Sequence, residues 1–272
     1  MPQGNDSRWQ NPWFLVETFA LANLGFLTLD IFLAHSVNGF RRPVEYLPLV
    51  FSAAAPLILL VGMAMRGRAI AVWQNLGYGV GWAAILLGLA GVILHLESSF
   101  FYDRTLHSLT YSAPFAAPLA YTGLGFLLLL NRMVESQTWE WARWVLFLTL
   151  GGFFGNFVFS LSDHASNGFF DRREWVAVGA SAVAVGFLVT PLLTTVSRRF
   201  FALCAGVLML ESLVGVWGFI LHAQRNLYGP SPHLLGNLVW GAPSMAPLLF
   251  PNLAVLGIIA LWQLWKLEPR DV

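Results

Sequence analysis

Eight apolar runs, each close to the length a helix needs to cross a bilayer, dominate this chain and limit what it can fold into. A helix rises about 1.5 Å per residue, so about 20 residues cover a hydrocarbon core about 30 Å thick. Such runs fall at 13–35, 47–65, 72–96, 112–131, 144–163, 176–195, 201–222 and 240–262. With 11% charged residues and a mean hydropathy of +0.65, the composition is that of a polytopic membrane protein. The expected fold is an all-α integral membrane protein with eight transmembrane helices.

The sequence also resembles itself. His35, Asn38, Gly39 and Phe40, followed by Arg41 and Arg42, have counterparts in His164, Asn167, Gly168 and Phe169, followed by Arg172 and Arg173. Partners are offset by 129 residues for His35/His164, 127 for His95/His222, 126 for His107/His233 and 129 for Pro114/Pro243. All six histidines fall into these three pairs. The expectation is therefore two tandem four-helix halves, 1–135 and 136–272, related by a pseudo-twofold axis along the membrane normal, as in parallel-repeat membrane folds.

The N-terminal stretch is polar and lacks the basic region of a cleavable leader, so the first span is expected to be retained. The single cysteine, Cys204, allows neither an internal disulfide nor a CxxC motif. A net charge of +1 gives no electrostatic basis for a nucleic-acid partner; the partner is the lipid bilayer. Arg8, Arg66, Arg68, Arg132, Arg143, Arg198, Arg199, Lys266 and Arg270 fall on one side, and Arg41, Arg42, Arg104, Arg172, Arg173 and Arg225 on the other. The excess on the first side puts both termini in the cytoplasm and every histidine toward the outer face.

Two polar features bear on chemistry in the first span. Glu17, Asn23 and Asp30 are groups that a lipid-facing helix avoids, so one face looks into the bundle. Asn38-Gly39 reads as a helix stop, because both residues tolerate the left-handed backbone.

Walking back from His95 in steps of 4 and 3 meets Gly91, Gly88, Ala84, Gly81 and Gly77 on one face; from His222 the walk meets Gly218, Gly215, Glu211, Leu208 and Cys204. Small residues let membrane helices approach closely, or leave a slot for a flat cofactor. In an up-and-down bundle the first and third helices are diagonal, roughly 12–14 Å apart for adjacent spacings of 8–10 Å. That spacing suits two imidazoles on opposite faces of one haem b iron, which needs no CxxCH attachment motif. The expected ligand pairs are His35 with His95 and His164 with His222, beside Gly88, Gly91, Gly215 and Gly218. Arg41, Arg42, Arg172 and Arg173 are placed to meet the propionates.

The polar turns after the third and seventh spans carry His107 and His233. Pro114 and Pro118, and Pro243, Pro247 and Pro251, follow at intervals of four, so the next helix is expected to be irregular at that end and to floor a pocket. Glu211, mid-span, stands where the first half has Ala84; Asp163 precedes His164 where the first half has Ala34. Intramembrane carboxylates suggest proton handling, with Glu211 and Asp30 as candidate catalytic groups.

In layout the chain resembles haem A synthase, which has eight spans in two four-helix halves and one histidine pair per half at the outer side. Here the members of a pair are 60 and 58 residues apart. Phe32 and Ser36 stand where that family has glutamate and arginine around its first histidine, and these histidines fall on odd-numbered spans. The resemblance implies the architecture and a histidine pair in each half; the family's catalysis is not carried over. The leading expectation is a haem-b membrane protein in electron transfer or haem handling, with quinol or a redox protein as partner. One alternative is a non-haem zinc, copper or iron site that adds His107 and His233 to the other four histidines. Another is a parallel-repeat transporter.

Overall fold

The computed structural model describes residues 11–268; Arg8 and Arg270, counted above for orientation, lie outside them. Among the described residues the chain is helical, without strands. Long helices are α1 (Pro12–Ser36), α2 (Tyr46–Met65), α3 (Ile70–Glu97), α6 (Leu119–Met133), α7 (Trp139–Ser166), α8 (Glu174–Leu193), α9 (Arg198–Leu227) and α11 (Leu249–Leu267). Short helices α4 (Phe100–Asp103), α5 (Leu106–Thr110) and α10 (Leu234–Trp240) occupy the connections.

Among the described residues seven helical segments are long and apolar enough to cross a membrane; α6, with 15 residues, is shorter. The apolar run containing α6 begins at 112, but helix begins only at Leu119 because 113–118 carries two prolines, neither with an N–H for a helical bond. The same device delays α11: 241–248 is turns and a short 3₁₀ stretch, Ala246–Leu248. The expected irregular helix ends are therefore non-helical segments, and the spans placed at 112–131 and 240–262 shift toward the C-terminus.

Much of the apolar surface faces outward. Leu57, Leu86 and Leu213 are 64%, 65% and 65% exposed, a distribution that a protein in water avoids and hydrocarbon accommodates. The environment is thus a lipid bilayer and the chain an integral multi-pass membrane protein.

The helices close into two rings. One runs α1, α2, α3, α6 and back to α1, the other α7, α8, α9, α11 and back to α7. Helices α1 and α3 are diagonal, as are α7 and α9. The rings meet along α6 with α7 and α1 with α11, where the side chains of Asn23 and Asn252 hydrogen-bond to each other.

The glycine rows set the closest helix approaches. A Cβ at Gly88 would lie 2.3 Å from Thr122 Oγ1 and 2.8 Å from the Pro118 carbonyl; one at Gly215 would lie 2.4 Å from Pro251 Cδ and 2.6 Å from the Pro247 carbonyl. Gly91 meets Pro118 and Gly218 meets Pro247 in the same manner. The proline-bearing segments of the next helix pack against these glycines, which serve helix contact there; Gly218 also lines a cavity. The bundle's other end is closed by a buried ion pair, Arg132 Nη2 to Glu17 Oε1 at 2.5 Å. Asn131 donates to Glu17 Oε2 at 3.1 Å. Trp13 and Trp73 stack at 5.5 Å, with Arg66 3.4 Å above the Trp13 ring and Arg132 4.4 Å from the Trp73 ring. Burial lowers the Arg66 guanidinium to about 10. Gly77 makes room for Arg132, whose Nε would lie 1.6 Å from a Cβ there.

Candidate functional site

Each of four histidines occupies the last turn or two of a long helix, at the same end of the bundle. Helix α1 stops just after His35 because Gly39 (φ +64) and Phe40 (φ +50) are both left-handed; α7 stops after His164 with Gly168 (φ +75) and Phe169 (φ +50). Glycine tolerates this backbone, whereas phenylalanine adopts it only under tertiary constraint. The constraint is visible here: the Phe40 ring lies 5.9 Å from His35 and 4.7 Å from Tyr46, and the Phe169 ring lies 6.1 Å from His164 and 4.0 Å from Trp175. The helix stop also fixes the histidine.

The ring nitrogens have matching partners in the two rings of helices. His95 Nδ1 is 2.9 Å from the Pro114 carbonyl, and His222 Nδ1 is 3.0 Å from the Pro243 carbonyl. A carbonyl only accepts, so in each case Nδ1 carries the hydrogen and Nε2 holds the lone pair. Pro114 and Pro243 contribute through backbone geometry: the residues that keep 113–118 and 241–245 out of a helix turn a carbonyl toward the histidine. His35 Nδ1 faces Glu45 Oε2 at 3.7 Å and His164 Nδ1 faces Glu174 Oε2 at 3.5 Å. These four atoms are buried and have no hydrogen-bond partner, so each carboxylate and imidazole face one another in a water-poor setting.

Across the α1/α3 diagonal the His35 and His95 rings approach to 6.3 Å between centroids, with planes at 49°. His164 and His222 share the wall of a cavity of about 1050 Å³ between α7 and α9, bounded also by Asn156, Trp217, Trp240 and Phe250. A smaller cavity of about 280 Å³ lies under the α5 loop, between Pro114, Asp163 and Pro243.

The remaining expected site residues are placed as follows. His107 is exposed and packs on Tyr111 at 4.6 Å, and His233 is exposed at the start of α10; neither joins a histidine pair. Among the described residues no three His, Cys, Asp or Glu side chains group as a metal-ion ligand set. Arg41 and Arg172 are exposed. Arg42 lies 4.0 Å from Glu97. Arg173 is held by Asp171 at 2.5 Å, and hydrogen bonds from the Arg173 side chain and backbone keep the Asp171 carboxyl down at about 2. Arg225, on the cavity wall, is the guanidinium there without such a commitment. Asp30 is half-buried on α1. Glu211 is 3% exposed, and its Oε2 has no hydrogen-bond partner.

Glu45, Glu174, Phe40 and Phe169 were not assigned to the site from sequence, although the signal was present. Glu45 and Glu174 each follow their histidine by 10 residues, and Phe40 and Phe169 by 5. The carbonyls of Pro114 and Pro243 leave no such trace, because any residue supplies one.

The fold and site define an all-helical multi-pass membrane protein with imidazoles gathered at one end. Comparison with family models, with curated proteins and with solved structures found no match.

Proposed function

We propose that this chain is an eight-span membrane protein of two tandem four-helix halves that binds haem b between His35 and His95 and passes electrons from membrane quinol to an acceptor at its outer face. The repeat is supported by the paired Nδ1 contacts: a carboxylate for the first histidine of each half, a proline carbonyl for the second. Helix α6 completes its crossing with the non-helical 113–118, whose Pro118 packs on Gly88 and Gly91 of α3. In this topology both termini are cytoplasmic.

One observation carries the haem reading, the 6.3 Å ring separation of His35 and His95. His35 and His95 would hold the haem iron between them through ring nitrogens, the way haem is held by histidine ligands. The protonation pattern agrees. His95 gives its Nδ1 hydrogen to a carbonyl and His35 turns Nδ1 to a carboxylate, so both Nε2 atoms remain as ligands, and the outer partners orient the rings and raise their basicity. Haem held in this way supplies one-electron transfer. The chain's own part is to fix two imidazoles, pack Phe40 on the His35 ring, and set the potential through Glu45.

Among the described residues His107 and His233 stand apart from the other four histidines, which gives no support to a six-histidine zinc, copper or iron site. A pyridine haemochrome assay on detergent-purified protein tests the proposal. It should return one haem b per chain in the native protein and in His107→Ala, and none in His95→Ala.

A further inference from the structure

We infer that the cavity between α7 and α9 is a binding site for a hydroquinone, the reduced ring of a membrane-soluble quinone. The inference deepens the proposed function and rests on it for what the ligand does there, which is to supply electrons to haem at His35 and His95. The binding itself stands on the cavity.

At about 1050 Å³ the cavity is at the upper end of small-molecule sites, which run from about 300 to 1,000 Å³. It extends from Asn156, eight residues and so about 12 Å before His164 along α7, to Arg225 and Ser231 at the loop end. Its occupant must therefore have a part at home in hydrocarbon and a part at home near water. Phe159, Trp217, Trp240 and Phe250 offer faces and edges to a flat ring.

Apart from His164 Nδ1 and Glu174 Oε2, which face each other, two polar groups on the wall have unfilled capacity. His222 spends Nδ1–H on the Pro243 carbonyl, which leaves Nε2 as an acceptor. Asn156 is 5% exposed, and its Nδ2 is buried without a partner; such a group costs stability unless something satisfies it. A hydroquinone carries two hydroxyls, each both donor and acceptor. One donates to His222 Nε2 and the other accepts from Asn156 Nδ2.

Charge selects against an anion. The lining carries Asp163, Asp171 and Glu174 beside Arg173 and Arg225, and Arg173 is bound to Asp171. A macrocycle with two carboxylates would find one uncommitted guanidinium, whereas an uncharged diol needs none. The electron count closes on the proposed haem: oxidation of one hydroquinone to the quinone breaks two O–H bonds and releases two protons and two electrons. A haem held by His35 and His95 would take the two electrons one at a time, the outer-face acceptor removing the first before the second arrives. The protons pass to water at the loop end.

The test is anaerobic equilibrium dialysis of decylubiquinol against the purified full-length protein, with haem measured in the same samples. The inference expects saturable binding of one decylubiquinol per chain. Asn156→Leu and His222→Phe should each raise Kd about tenfold or more, with haem unchanged at one per chain and the thermal midpoint preserved. Absence of saturable binding to haem-loaded protein, or binding indifferent to both substitutions, overturns it. So does a second haem per chain that is lost in His164→Ala. Variant-sensitive binding by protein that carries no haem supports the cavity assignment and defeats the haem reading, so the two failures are distinguishable.

Discussion

The imidazole rings of His35 and His95 stand 6.3 Å apart across the diagonal of a four-helix ring, with His35 Nδ1 facing Glu45 and His95 Nδ1 on the Pro114 carbonyl. Two neutral imidazoles in contact gain little. With His95 Nδ1 on a carbonyl and His35 Nδ1 facing a carboxylate, each ring has its Nε2 left over, which is what the proposed ligand pair requires.

Glu45 should then tune the pair without being a ligand. Glu45→Gln removes the negative charge 3.7 Å from His35 Nδ1 and leaves the shape. Loss of an outer partner typically costs a metal site about 10–100-fold in affinity. The variant should keep its haem spectrum, lose haem about 10–100-fold more readily to apomyoglobin, and show a raised midpoint potential. An unchanged potential and release rate would remove Glu45 from the site.

The glycine rows make a prediction independent of any cofactor. Gly88→Val and Gly215→Val put carbon against backbone atoms less than 3 Å away, and overpacking of this kind costs about 1–3 kcal/mol. Gly123→Ala, where a Cβ meets nothing within 4 Å, should be tolerated. Thermal unfolding in detergent separates the two classes, and equal midpoints would contradict the packing described.

Much of this architecture was legible in the sequence. The apolar runs located the long helices, because hydrocarbon leaves the backbone no other way to satisfy its hydrogen bonds within a span. Six histidines in register pointed to the end of the bundle where four of them gather. His107 and His233 shared the register but sit on short exposed segments, because helix position decides meeting and sequence offset does not. The rows at Gly88, Gly91, Gly215 and Gly218 were legible as smooth faces; what covers them was not, since that depends on Pro118 and Pro247 coming back across the same face. Arg173 beside the membrane suggested an anion partner, and the anion it holds is Asp171, two residues away.

The closed end of the bundle should behave as a buried ion pair. Glu17→Leu or Arg132→Met alone strands one charge and should cost about 3–5 kcal/mol; the double substitution should recover most of that, because two apolar groups replace two satisfied charges. Unfolding measured for all four proteins closes the cycle. Additive losses would show that Glu17 and Arg132 act separately, despite the 2.5 Å contact.

The α7–α8 turn carries an acid-sensitive contact. Asp171 titrates at about 2 against an ordinary value of 3.8, so its pairing with Arg173 contributes fully above about pH 4 and is lost as pH falls through 2. Hydrogen exchange of the Arg173 amide, which donates to Asp171 Oδ1 at 2.9 Å, should keep the intrinsic pH dependence down to about pH 3 and gain extra opening below it. Asp171→Asn should show that opening at every pH, and a variant as protected as the native protein would refute the contact.

The most direct measurement is a reduced-minus-oxidised visible spectrum of the purified protein, made with ample haem supply, beside four histidine variants. The account predicts the sharp α band and shifted Soret band of six-coordinate haem b in the native protein, in His164→Ala and in His222→Phe. In His35→Ala and His95→Ala these bands should be absent or replaced by those of a one-ligand, high-spin haem. A featureless spectrum in the native protein, or full bands surviving both His35→Ala and His95→Ala, would contradict it.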